Sequence, residues 1–119
     1  FLWMSLDDDK ISERARSMIL DGQNELFLSA ASAWEIAIKT ELAKLELPEP
    51  PEVYVPSRMT RNAVTPLAIA HAHVLATHRL PAHHADPFDR LLVAQATHEG
   101  LPIVTPDAAF GSYQVDIVW

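Results

Sequence analysis

The sequence predicts an α/β fold in which a mostly parallel sheet is covered by helices on both faces. Two observations carry this reading: short apolar runs alternate with longer segments of helical pattern, and an acid stands directly beyond one of those runs. Strands separated by helices pair in parallel, because a helical crossover returns the chain to the same end of the sheet. Taken in order, a helix is expected from Ser12 to Asp21, a strand from Leu26 to Ser29, and a long helix from Ala30 to Leu45. In that long helix Ile38, Leu42 and Leu45 recur at the three-and-four spacing of a core-facing stripe. The connector Leu47-Pro48-Glu49-Pro50-Pro51 leads into a helix from Glu52 to Asn62, which Pro56 should bend or delay. Val64 to Leu67 reads as a weak strand and Ile69 to His78 as a helix. Asp86 is a good N-cap, Pro87 suits the first helical position, and Gly100 can end a helix running from Pro87 to Glu99. Leu101 to Thr105 is an apolar, partly β-branched run stopped by Pro106, and Val115 to Trp119 forms the last strand.

Composition bounds the function classes. A length of 119 residues suits one domain, and 49% hydrophobic residues suffice for a modest core. No apolar run approaches the roughly 20 residues needed to cross a bilayer, and no basic segment followed by an apolar one opens the chain, so a cytoplasmic site is the default and no membrane partner is expected. The absence of cysteine excludes disulfides and thiolate metal sites, leaving oxygen or imidazole as ligands. A net charge of −7, from nine basic against sixteen acidic residues, argues against broad electrostatic clamping of nucleic acid by the chain alone.

Three acids carry the chemistry. Asp89 falls in the first turn of the Pro87–Glu99 helix and Asp107 immediately beyond the strand that ends at Thr105. Ligands gather outside the carboxyl ends of strands in open α/β sheets, so both acids are placed at one crevice. Each also has a simpler reading: Asp89 complements the helix dipole, and Asp107 caps a short helix through Ala108-Ala109-Phe110. Glu35 is the third. Ser32 and Glu35 fit a capping box, and Lys39, four residues on, offers a surface ion pair; against this, a helix that begins near Ser29 puts Glu35 on the core-facing stripe. Arg90, directly after Asp89, has two open roles, bracing the acid cluster or contacting a substrate phosphate. The remaining basic residues read as solvated helix faces.

The six histidines do not read as a zinc site: His71 and His73 are two apart, His83 and His84 are adjacent, and paired helical ligands need a spacing of three or four. His71 is expected to pack or cap, and His84 to lie in a loop beside the acids. The three tryptophans are scattered and read as core or interface anchors, not as a base-stacking platform.

The segments SAASAWEIAIKTELAKLEL and HADPFDRLLVAQATHEGLPIVTPDAAFGSY, in that order, resemble the PIN-domain toxins of VapBC toxin–antitoxin systems. FLWMSLDDDKISERARSMI resembles the segment after that family's first strand, and LAIAHAHVLATHRLPAHHADPFDR its central region, so the likeness covers nearly the whole chain. The resemblance implies a PIN-like three-layer sandwich and a usually dimeric ribonuclease that uses Mg²⁺ or Mn²⁺ and is neutralised by a cognate antitoxin. It also implies that Glu35, Asp89 and Asp107 form the family's acidic cluster. One departure stands out: members begin with a strand of the type LLLDTH, whose aspartate is the first metal ligand, and this chain starts after it, at Phe1. Asp7, Asp8 and Asp9 do not replace that aspartate, since they are expected in a polar turn. Reduced stability and weak or no cleavage are the expectation for this chain, because the first aspartate is absent and the missing strand would leave backbone groups of its neighbours unpaired.

Under the resemblance Asp89 and Asp107 ligate the ion directly or through water, Glu35 orients water or completes the metal shell, and Arg90 assists at the phosphate. Hard divalent cations prefer such oxygens, and clustered carboxylates repel one another until a cation neutralises them. The second reading is a catalytically incomplete module that engages an antitoxin or a second subunit; for the dimer that the resemblance implies, Trp34 and the Glu52–Asn62 helix are the contact candidates. A phosphoacceptor receiver domain fits poorly, since no lysine occurs beyond Lys44.

Overall fold

The computed structural model describes residues 1, 10–82 and 86–119. Asp7, Asp8, Asp9, His83 and His84, named above, lie outside the described residues. The elements are α1 (Glu13–Leu20), β1 (Leu26–Ser29), α2 (Ala30–Glu41), α3 (Pro51–Arg61), β2 (Val64–Leu67), α4 (His71–Ala76) with a 3₁₀ turn at Thr77–Arg79, α5 (Pro87–Glu99), β3 (Ile103–Val104), a 3₁₀ turn at Ala108–Ser112, and β4 (Ile117–Val118).

Pairing is parallel throughout, as the alternation predicts. β1 runs beside β2 with Leu26 opposite Val64, and β3 beside β4 with Ile103 opposite Ile117. Among the described residues these are two separate two-stranded sheets, not one continuous sheet. The last two strands are shorter than the runs expected at 101–105 and 115–119. Bonds from the Ile103 amide to Asp116 and from the Thr105 amide to Val118 extend that ladder slightly beyond the paired residues. Pro66 in β2 lacks an amide donor, which an outer strand tolerates.

Helix boundaries follow local chemistry. Ser12 caps α1 by accepting from the Ala15 amide, and Ser29 caps α2 by accepting from the Ala31 amide. α2 stops at Glu41, four residues short of the expected end. Ala43 there adopts a left-handed conformation (φ 57°), and the Lys44 amide turns back to the Lys39 carbonyl in a Schellman closure. Ala63 ends α3 in the same way (φ 55°). α3 runs unbroken through Pro56, with Pro51 at its first turn. α5 has the predicted bounds, closed by left-handed Gly100.

Two apolar clusters hold these elements. Leu28, Ile36, Tyr54 and Val55 join β1, α2 and α3, while Val93 of α5 packs with Phe110 and Tyr113. Val93, Ala94, Gln95 and Ala96 are all buried, so α5 is covered on nearly every side at its centre. The amide of Gln95 donates to the Ala68 carbonyl at 3.1 Å, tying α5 to the chain just beyond β2.

Alanine in a left-handed conformation costs about 1–2 kcal/mol that glycine avoids, less the entropy glycine loses on folding. Ala43→Gly and Ala63→Gly should therefore each stabilise the fold by about 0.5–1 kcal/mol, seen as a higher urea midpoint at unchanged slope. A lowered midpoint for both would contradict the capping geometry.

Candidate functional site

A cleft of about 810 Å³ runs between the two sheets, and Glu35, Asp86, Asp89 and Asp107 all line it. The three acids singled out from the sequence thus share one cavity. The fourth, Asp86, was legible only as a helix cap. Each is delivered by a backbone device that owes nothing to catalysis.

Glu35 is the sixth residue of α2. Because Ser29 and not Ser32 caps that helix, Glu35 is outside any capping box; its carboxylate is half-buried and lies 3.7 Å from the Lys39 ammonium. So exposed an i,i+4 pair contributes at most a few tenths of a kcal/mol, and its main effect is to lower the local negative charge. Asp86 caps α5, its Oδ1 accepting from the amides of Phe88 (2.8 Å) and Asp89 (3.3 Å). That cap places Asp89 at the third helical position, half-buried. Asp107 follows β3: its amide donates to Thr105 Oγ1 at 3.1 Å, and its Oδ1 accepts from the Ala109 amide at 2.9 Å. The capping role foreseen for Asp107 is therefore real, and it coexists with a place in the cleft. Phe1 lines the same cavity, and burial pushes its amino group below the ordinary value.

Arg90 does something neither sequence reading offered. Its guanidinium donates to the carbonyls of Thr77 (2.9 Å), Pro81 (3.0 Å) and Leu80 (3.5 Å), and it is absent from the lining of the cleft. The carbonyls exposed where the 3₁₀ turn ends supply acceptors that a planar fork satisfies together. Arg90 thus ties that turn to the start of α5.

The carboxylates do not form a tight triad. Among the described residues, the one group of three His, Cys, Asp or Glu side chains with ligand atoms all within 4.8 Å is His73, His98 and Glu99, at the far end of α5. There the buried His73 accepts the Ala70 amide on Nδ1 at 2.9 Å, so its Nε2 carries the proton and faces Glu99 at 3.7 Å. A metal-bound imidazole normally donates from its second nitrogen, and this one accepts, so the group is a helix cap whose neutral imidazole turns its Nε2–H towards a carboxylate. The capping expected of His71 falls on His73 for the same reason.

Fold and cleft define a class: an α/β domain with parallel strands and a cavity between its sheets that acidic side chains line. The PIN domain family model matches residues 1–115, and the chain belongs to that family. It is also 51% identical over 65 residues to Ribonuclease VapC16 of Mycobacterium tuberculosis (strain ATCC 25618 / H37Rv), a stretch covering 55% of this chain and 45% of that relative. No helix among the described residues is long and apolar enough to cross a membrane.

Asp86→Ala should cost about 1 kcal/mol in a chemical melt by removing the α5 cap, whereas Asp86→Ser should recover most of the loss. Equal destabilisation by both would show that Asp86 acts through charge and not as a cap.

Proposed function

We propose that this PIN domain is a Mg²⁺- or Mn²⁺-dependent endoribonuclease, the toxin of a cytoplasmic toxin–antitoxin pair. The observation that supports the reading is that Glu35, Asp89 and Asp107 all line one cleft between the two sheets. The donor set suits a hard divalent cation, since every candidate ligand is a carboxylate oxygen. The spacing suits one that keeps part of its water shell, as Mg²⁺ does, because the oxygens of no three acids gather within 4.8 Å among the described residues. When bound, such an ion supplies an activated water and neutralises charge on the phosphodiester.

The residues of the chain have distinct tasks in this reading. Asp89 and Asp107 hold the ion, directly or through water. Glu35, partly balanced by Lys39, orients water at the same cleft. Arg90 is a positioning residue, fixing the turn from which α5 and Asp89 start. A cognate antitoxin and a second copy of the chain are the protein partners, in keeping with the similarity to a VapC ribonuclease.

The open spacing also supports the second reading, a PIN-like module that binds its antitoxin or a second subunit without cutting RNA. Calorimetric titration with Mn²⁺ separates the two: the nuclease reading expects a saturable site lost in Asp89→Asn and Asp107→Asn. Metal-dependent cleavage of RNA by the full-length protein should fall at least about 100-fold in either variant, roughly 2.7 kcal/mol of barrier, and Glu35→Gln should reduce it too. Unchanged thermal melts would show that the fold survives. Cleavage at the wild-type rate by the aspartate variants, or cleavage that persists in excess chelator, would refute the assignment.

A further inference from the structure

Trp34 is 60% exposed, so of the core and interface roles expected from the sequence only the interface one remains open, and the stacking role set aside there comes back into question. Its ring meets that of Phe88 edge to face, with centroids 5.1 Å apart and planes at 68°. Trp34 directly precedes Glu35 on α2, and Phe88 directly precedes Asp89 in the first turn of α5. One step along a helix turns a side chain by about 100° and advances it by about 1.5 Å. The aromatic pair therefore bridges the two helices at the level of the two acids, on the neighbouring face. Phe88 is half-buried and fixes the indole, whose remaining surface stays open to solvent.

We propose that Trp34, held by Phe88, is a stacking platform for one unpaired nucleobase of the RNA strand whose phosphate enters the acidic cleft; this rests on the nuclease reading. Charge makes such a platform necessary. With a net charge of −7 and Lys39 as the one basic side chain lining the cleft among the described residues, few phosphate contacts are on offer to hold a strand in place. Stacking is indifferent to the sign of the protein's charge and accepts any base, since every base presents a π face. A base seated on Trp34 would fix the register of its strand relative to Glu35 and Asp89, which makes Trp34 a substrate-positioning residue. An indole fixed by a neighbouring ring also loses little freedom on binding.

The test is the affinity of the full-length protein for a labelled single-stranded hexaribonucleotide, read by fluorescence anisotropy with Ca²⁺ as the cation and with strand integrity checked on a gel. Trp34→Ala should weaken binding about tenfold, the loss of one stacked base, while Trp34→Phe should stay within about threefold of wild type. The dependence of affinity on salt should keep its slope, because no phosphate contact is removed. Replacing bases one at a time by abasic nucleotides should reveal one position at which Trp34→Ala costs nothing further. Wild-type affinity in Trp34→Ala overturns the platform while leaving the nuclease reading intact. A fall in solution mass from dimer to monomer at unchanged RNA affinity overturns it too, assigning the ring to a second copy of the chain. Failure of the wild-type protein to bind the strand at all overturns the nuclease reading and the platform with it.

Discussion

Like charges do not gather unless something else holds them, and the cleft of this domain depends on that constraint. Five acidic side chains, Glu25, Glu35, Asp86, Asp89 and Asp107, line one cavity, and Lys39 lies beside Glu35. What holds them is backbone chemistry: Ser29 starts α2, Asp86 starts α5, and Thr105 receives the amide of Asp107 at the end of β3. Two of the acids are recruited twice, since one oxygen of Asp86 and one of Asp107 cap the turn that follows. These bonds fix the two side chains to the backbone, so their places in the cleft do not depend on contacts with one another.

α5 transmits this arrangement to the rest of the molecule. Its first turn carries Asp89, its centre is buried against both sides, and its last turn meets His73 of α4. Gln95 and Arg90 are polar groups used as fasteners, one on the Ala68 carbonyl beyond β2 and the other on carbonyls that close the 3₁₀ turn. A buried polar side chain with its partner satisfied fixes register in a way that sliding apolar surfaces do not. The position of Asp89 is thus set from both ends of α5 and from its middle.

Much of this was legible in the sequence, and what was not has physical causes. The bounds of α5 could be read to the residue because Asp86, Pro87 and Gly100 each have one conformational preference that matters there. β1 was equally clear. The end of α2 was hidden because alanine, the best helix former, performs at Ala43 the left-handed turn that glycine usually performs. α4 was expected to reach His78 but yields to a 3₁₀ turn at Thr77, and the last two strands are shorter than the apolar runs that suggested them. Glu35, Asp89 and Asp107 could be named because their places relative to helix starts and a strand end are local properties. The partners of Arg90 lie nine to thirteen residues away, and no local pattern encodes a guanidinium that reaches back over that distance.

Electrostatics also sets an order of events for the proposed activity. An acidic chain repels RNA at long range, and the acids lining the cleft disfavour a phosphate there. A divalent cation removes that barrier locally, so cation binding must precede or accompany strand binding and cannot follow it. Apparent RNA affinity then rises with cation concentration until the site saturates, and it reports occupancy of the acids as well as contact with the strand. Under the proposed activity the acids that would hold the ion would, without it, keep the substrate away.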